Sequence, residues 1–218
     1  ILYGDQPAGW FIWGTKETIS KLKRNQLLKY LASQYRSQNT LICLAGNFNQ
    51  TQAISEVEKY FRKLKKGKVK EKPKLIEKQK KPEILVHFKE TDQTHLCFGV
   101  RAYNIFHPDR YTLGILGTIL GGFMSSRLFQ EIREKKGLAY YIRTSTEFDT
   151  ESGYLVTQAG VANSKVGETI KLILAEYKKI KEKKISQKEL LKAKEHIKGN
   201  LLLNLETSDE MAFFLAGQ

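Results

Sequence analysis

The spacing of apolar residues along the chain alternates between helical and strand-like periods. Apolar residues recur every three to four positions in several stretches, which predicts amphipathic helices. These helices are expected at 18–35 (one helix or two short ones), 51–64, 109–122, 125–137, 165–181 and from 186 onward. Short apolar or alternating runs, bounded by glycine, proline or polar residues, predict strands at 39–47, 83–90, 93–102, 138–148 and 153–161.

The order of these elements indicates the fold class. After Pro82, pairs of strands alternate with pairs of helices. This order predicts an α+β fold, a two-layer sandwich with helices packed on one face of a mainly antiparallel sheet. The chain does not begin with Met and it ends within an apolar pattern. We therefore expect it to be a piece of a longer protein.

A lysine-rich stretch divides the sequence. Ten lysines and only two glutamates fall between Lys63 and Lys81, with few apolar residues among them. Such a stretch is typical of a solvated linker whose like charges repel one another. It predicts a linker at 69–81, with half a domain before it at 1–68 and a second unit after it at 82–218.

The formal net charge of +14 raises nucleic acid as a partner. The distribution of the charge argues against it, because the lysines concentrate in the linker and at the end of one predicted helix, without interleaved aromatic residues for base stacking. No apolar run approaches the roughly 18 residues of a membrane helix, since four glycines interrupt the longest, Tyr111–Phe123. We predict neither a nucleic-acid nor a membrane partner, and the compartment stays undecided.

The residues that commonly bind metal are sparse. The four histidines, His87, His95, His107 and His196, include no pair four residues apart, the spacing that would place two imidazoles on one helix face. The two cysteines, Cys43 and Cys97, lie in predicted strands and are expected to be small buried core residues. The sequence therefore predicts no metal site and no bound cofactor within this chain.

An arginine and a tyrosine flank a predicted glycine bend. Arg133 lies in the last turn of a predicted helix, Gly137 ends that helix, and Tyr140 opens the next strand. A guanidinium and a phenol are both hydrogen-bond donors, so the pair could hold a carbonyl oxygen that gains negative charge. The alternative, which the residues alone leave open, is a surface arginine beside a half-buried strand tyrosine.

The segment around this pair, GGFMSSRLFQEIREKKGLAYYI at 121–142, resembles the second-domain signature of the pitrilysin/insulinase family of zinc metallopeptidases (the inverzincins), which includes the mitochondrial processing peptidases. The likeness spans essentially the whole chain. It implies that 1–68 are the C-terminal half of a first family domain and that 82–218 are a second, non-zinc family domain truncated at its end. It includes IWGTKETI at 12–19, YRSQNTLICLAGNF at 35–48, QTHLCFGVRA at 93–102 and AKEHIKGNLLLNLETSDEMAFFLAG at 193–217.

The resemblance implies a function and a site. Arg133 and Tyr140 match an Arg–Tyr pair that the family uses to hold the substrate peptide and stabilise the scissile carbonyl. Gly121 and Gly122 correspond to a glycine-rich segment implicated in substrate binding, although it is short here. The family binds zinc through H-x-x-E-H and a later Glu, which are absent here and would lie before Ile1.

Zinc is accordingly expected in the parent protein and not in this chain, which should be inactive alone. The implied partners are a peptide substrate and a second family member in a homodimer or heterodimer. The parent is expected to be an endopeptidase that cleaves peptides inside a closed chamber. The alternative is a non-catalytic subunit of the same fold that complements a zinc-bearing partner.

Overall fold

The structure is a computed structural model that describes residues 1–217. Its α-helices are α1 (Lys16–Ser20), α2 (Arg24–Gln34), α3 (Gln50–Phe61), α4 (Arg110–Gly117), α5 (Val166–Glu182), α6 (Gln187–Leu203) and α7 (Ser208–Ala216), with π-helical segments at Thr118–Gly122 and Phe129–Lys135. Its strands are β1 (Gln93–Arg101), β2 (Ala139–Phe148) and β3 (Gly153–Ala162). The chain divides into two compact units.

The first unit combines Ile1–Gly9 with Lys74–Asn200 and contains the sheet. The strand order is β1-β3-β2, and both pairings are antiparallel. β2 and β3 form the expected hairpin, whose turn is closed by the Asp149 amide donating to the Ser152 carbonyl. Helices and an antiparallel sheet in this arrangement confirm the predicted α+β class.

The core of this unit lies between the sheet and its helices. Five core side chains are nearly inaccessible to solvent: Ile142 and Leu155 on the strands, Leu128 just before the second π-helical segment, Ile132 within it, and Ile173 on α5. Burial of one such side chain stabilises the fold by about 1.5–3 kcal/mol. These are the apolar positions whose periodicity predicted the elements.

A buried hydroxyl chain crosses the core. Thr157, fully buried on β3, pairs through Oγ1 with the Thr144 hydroxyl at 2.7 Å and with the Tyr177 hydroxyl at 2.8 Å. Burial raises the pKa of Tyr177 above its ordinary value, because an ionised phenol would be poorly solvated there. The three hydroxyls satisfy one another, as buried polar groups must.

The second unit combines Trp10–Pro73 with the segment from Leu201 onward and is helical in the residues described. The strand predicted at 39–47 is wrong. Ser37–Asn39 forms a 3-10 turn, residues 40–47 form no strand, and Leu41 is 73% exposed. In the first unit, the strand expected at 83–90 is also absent, and Ile84 is 90% exposed. Neither segment has a neighbouring strand to hydrogen bond with in the described chain, and an apolar run without a partner strand forms no ladder.

The division into 1–68, 69–81 and 82–218 stays a prediction. None of the helices formed by residues 1–217 combines the length and the apolar character needed to cross a membrane.

One ion pair ties α6 to the segment before the second π-helical stretch. Arg127 donates through Nε and Nη2 to the two Glu189 carboxylate oxygens, at 2.6 and 2.8 Å, and both side chains are mostly buried. The hydrogen bond from Arg127 holds the pKa of Glu189 below its ordinary value. This bidentate geometry is the strong form of an Arg–carboxylate contact.

We expect Arg127→Gln to lower the free energy of unfolding by about 1 kcal/mol at neutral pH. Because the folded-state pKa of Glu189 is depressed, the pair stabilises the protein above the unfolded-state pKa, and that contribution disappears as the pH falls through the folded value. Denaturant titrations at a series of pH values should therefore show the two proteins converging as the pH falls below the ordinary titration range of a glutamate. Lys198→Gln, which removes the more exposed Lys198–Glu195 pair on α6, should cost less than about 0.5 kcal/mol. A pH-independent difference for Arg127→Gln would contradict this account.

Candidate functional site

The bend between Arg133 and Tyr140 is built by Gly137. This glycine has φ of +60° and donates its amide to the Arg133 carbonyl at 3.1 Å. The next amide, of Leu138, donates to the Ile132 carbonyl at 3.0 Å. The left-handed residue thus ends the helix in a Schellman-like cap and satisfies its last carbonyls, as the sequence predicted. Ile132 and Leu138, which flank the bend, are buried and fix its position.

A β-bulge presents Tyr140 to solvent. Ala139 pairs with Val161 and Tyr141 with Gly160, so two steps on β2 oppose one step on β3 and Tyr140 is the extra residue. Ala139 and Ile142 are both buried in the core, although an uninterrupted strand would send residues three apart to opposite faces. The two tyrosines between them therefore both lie outside the core, and the Tyr140 side chain is 77% exposed.

The donors of the predicted pair are available to a ligand. The Arg133 guanidinium carbon lies 4.8 Å from the centre of the Phe129 ring, and the buried Phe129 gives the exposed arginine a fixed support. Within residues 1–217 the Tyr140 hydroxyl has no hydrogen-bond partner, and no hydrogen bond joins it to Arg133. Both positions are exposed in the same unit, and their joint action on one carbonyl stays a prediction.

The two glycines predicted to bind substrate differ in their surroundings. Gly121 is buried, and a Cβ there would lie 2.4 Å from Thr144 Oγ1 and 2.6 Å from the Thr144 amide nitrogen. Gly122 is exposed, and a Cβ there would meet Thr118 Cγ2 at 3.2 Å. Gly121 allows the first π-helical segment to pack directly on β2. The substrate-binding role of both glycines stays a prediction.

The side of the sheet away from the core, here called the open face, carries a second group of polar residues. His95 on β1 and Tyr141 on β2 lie opposite the same β3 residue, Gly160. The Tyr141 hydroxyl lies 3.0 Å from His95 Nδ1, and a Cβ on Gly160 would come within 2.6 Å of the Tyr141 ring. The absence of a side chain on Gly160 is what lets the tyrosine cross β3 to the histidine.

The next row of the open face contains Cys97, Gln158 and Arg143 in register across the three strands. Arg143 Nε and Nη2 both donate to Gln158 Oε1, at 2.8 and 2.7 Å. Cys97 is exposed on this face as a free thiol, so its expected burial in the core was wrong, while Cys43 is half-buried. The alternation of polar residues along β1 and β2 indicated in the sequence that one face of the sheet is polar. Which polar residues lie beside one another is decided only by the register of the three strands.

The described residues offer no ligand set for a metal. Across residues 1–217, no three His, Cys, Asp or Glu side chains group together in a way that could hold an ion. His107 stacks on Tyr103 with 3.8 Å between the ring centres, and His196 stacks on Phe123 with 4.6 Å between the ring centres. His95 forms a hydrogen bond with the Tyr141 hydroxyl. Zinc does not fit any site within this part of the chain.

Comparisons with known proteins agree with the predicted resemblance. Residues 21–197 match the family model described as the peptidase M16 inactive domain. An uncharacterized zinc protease of Bacillus subtilis, YmxG, is 36% identical over 210 residues, which make up 95% of this chain and 50% of that protein. The chain thus spans about half the length of this relative.

Two solved structures share the fold. A protease from Helicobacter pylori superposes with a TM-score of 0.81 at 26% identity, over 94% of this chain and 51% of that one. A peptidase M16 inactive domain from Pseudomonas fluorescens superposes with a TM-score of 0.84 at 22% identity, over 98% of this chain and 51% of that one.

Proposed function

We propose that this chain, which belongs to the peptidase M16 family and corresponds to its inactive domain, forms the carbonyl-binding wall of a zinc-dependent endopeptidase. The observation that carries the proposal is the bulge at Tyr140, which holds a phenol in solvent with no hydrogen-bond partner among residues 1–217. Bulges of this kind commonly re-aim a side chain beside an active site.

The proposed role is electrostatic. Arg133 and Tyr140 donate hydrogen bonds to the oxygen of the scissile peptide carbonyl as negative charge develops on it during attack by water. The rigid positions of both residues, one on a capped helix end and the other on a bulged strand, reduce the reorganisation needed at that moment. Zinc, which the relative's name indicates, would be bound by residues of the parent protein outside this chain and would activate the water there.

The proposal predicts that catalysis needs more than this chain. We expect a full-length parent protein to hydrolyse quenched-fluorescent peptides, to contain zinc by atomic absorption, and to lose activity with a chelator. Residues 1–218 alone should show neither hydrolysis nor stoichiometric zinc. Tight zinc binding by residues 1–218 would contradict the proposal. A parent that is inactive alone but becomes active when mixed with a zinc-bearing family member would favour the non-catalytic subunit.

A further inference from the structure

The open face is accessible at one end and covered at the other. Leu2 packs on β1 near Gly99, where a glycine Cβ would lie 3.5 Å from Leu2 Cδ1, and the Leu2 carbonyl accepts a hydrogen bond from Arg101. Leu2 and Arg101 both belong to the first compact unit, so this cover is part of its own fold. The rows that contain His95 and Cys97 lie beyond this cover, and both residues are exposed. The accessible end is therefore the end next to the Tyr140 bulge.

Arg143 stands at this accessible end as a fixed and uncompensated positive charge. Its two hydrogen bonds to Gln158 orient the guanidinium, but a neutral amide leaves the charge in place. Of the five N–H donors of an arginine, three stay free for a ligand. Within the described residues no carboxylate pairs with Arg143, whereas Arg127 pairs with Glu189 and Arg101 with Glu77.

The other groups on this face do not cancel that charge. The other side chains in the two accessible rows, those of His95, Tyr141, Cys97 and Gln158, include no carboxylate. The first acidic residue along the open face of β2 is Glu147, four residues from Arg143, which is about 13 Å along a strand. An anion beside Arg143 would meet no nearby carboxylate on its own strand.

The separation between Arg143 and Tyr140 sets which part of a bound peptide this charge could reach. Arg143 is three residues from Tyr140 on the same strand, but Tyr140 is the extra residue of the bulge, so the separation is between two and three strand steps, about 7–10 Å. An extended peptide that has its scissile carbonyl at Tyr140 and runs along β2 would advance at nearly the same rise per residue. A side chain two to three residues from the scissile bond would therefore lie over Arg143.

We infer that Arg143 and Gln158 form a subsite for a carboxylate of the peptide substrate, so that the parent enzyme prefers an acidic group two to three residues from the cleaved bond. The inference rests on the proposed peptidase function. The carboxylate could belong to an Asp or Glu side chain or to the peptide's own C-terminus. An arginine held by a neutral acceptor suits both, because its free N–H groups match the two carboxylate oxygens.

The test uses the full-length parent protein and matched peptides. Quenched-fluorescent peptides would carry Glu, Gln or Lys at each of three positions on either side of the scissile bond, and each would be made with a free and an amidated C-terminus. The kcat/KM ratio of each Glu peptide to its Gln isostere would be compared among wild type, Arg143→Gln, Arg143→Lys and Lys171→Gln. The last variant removes an exposed charge on α5, away from the sheet.

We expect a Glu-over-Gln preference of roughly tenfold at one position in the wild type, the effect of one charge-assisted hydrogen bond. Arg143→Gln should abolish it, Arg143→Lys should retain part of it, and Lys171→Gln should leave it unchanged. If kcat/KM depends on whether the peptide C-terminus is free or amidated, and not on Glu against Gln, then the C-terminal carboxylate is the group that Arg143 binds. An unchanged ratio in a folded Arg143→Gln protein would overturn the inference, as would a wild type without any acidic preference.

Equilibrium binding of the same peptides, measured by fluorescence anisotropy, separates this inference from the proposed function. If the wild type cleaves no peptide but binds the Glu peptide more tightly than its Gln isostere, and Arg143→Gln removes the difference, then the subsite stands and the peptidase proposal fails. If peptides are cleaved and neither binding nor turnover depends on Arg143, the peptidase proposal stands and the subsite fails.

Discussion

Replacing Tyr140 with phenylalanine in the full-length parent protein is expected to lower kcat by about 100- to 1,000-fold, the usual loss when one donor to a developing oxyanion is removed. The substitution deletes a single hydroxyl that makes no hydrogen bond within residues 1–217 and lies on a side chain that is 77% exposed. Stability should therefore change by less than about 0.5 kcal/mol. The zinc content should stay the same, because no metal ligand is altered.

Tyr60→Phe is the matched control. Tyr60 is 71% exposed on α3 and lies in the other compact unit, so its hydroxyl should be dispensable for turnover. Steady-state kinetics with one peptide, together with thermal melting and metal analysis, would compare the two variants. Unchanged turnover in Tyr140→Phe would refute the proposed role of the phenol without affecting the assignment of the fold.

Replacing Gly121 with alanine is expected to destabilise the protein by about 1–3 kcal/mol, the usual cost of overpacking a core. The added methyl would collide with the Thr144 hydroxyl and with the backbone nitrogen of the same residue. A side chain can rotate away, but the β2 backbone can move only by disturbing its ladder with β3. The buried hydroxyl chain through Thr144 and Thr157 would be displaced as well. Denaturant-induced unfolding is the measurement.

Gly122→Ala provides the contrast, because Gly122 is exposed and the three atoms nearest to its added methyl all belong to the Thr118 side chain. Its cost should stay below about 1 kcal/mol. A stability loss at Gly121 no larger than at Gly122 would contradict the packing account. If Gly122→Ala raises KM without affecting stability, the predicted substrate-binding role of that glycine gains support.

The errors in secondary structure share one cause. The runs at 39–47 and 83–90 have the apolar content of strands, yet neither pairs with another strand in the described residues. A helix forms its hydrogen bonds within one segment, because each bond joins residues four apart, so the local sequence is enough to predict it. A strand depends on a partner that the local sequence does not specify. The hairpin of β2 and β3 was predictable since its two strands are adjacent in the chain.

The candidate site divides in the same way. Gly137 lies between a periodic helix and an alternating strand, and this was sufficient to predict the bend. It also predicted that Arg133 lies in the last turn of the helix and that Tyr140 begins the next strand. The bulge at Tyr140 was not predictable, because its signal is a mismatch in register with β3. The contacts of Arg143 with Gln158 and of His95 with Tyr141 likewise join residues 15 and 46 positions apart.

The sequence by itself determined the helices, the glycine-capped bend, the α+β class and the family. These features follow from periodicity, from a left-handed residue that only glycine adopts readily, and from a dense motif within about twenty residues. Only the tertiary structure decided which side chains share the open face, that Tyr140 is extruded into solvent, and that Gly121 is pressed against β2. The physical reason is that strand register and close packing are set by contacts between distant segments, and those contacts exist only once the sheet has formed.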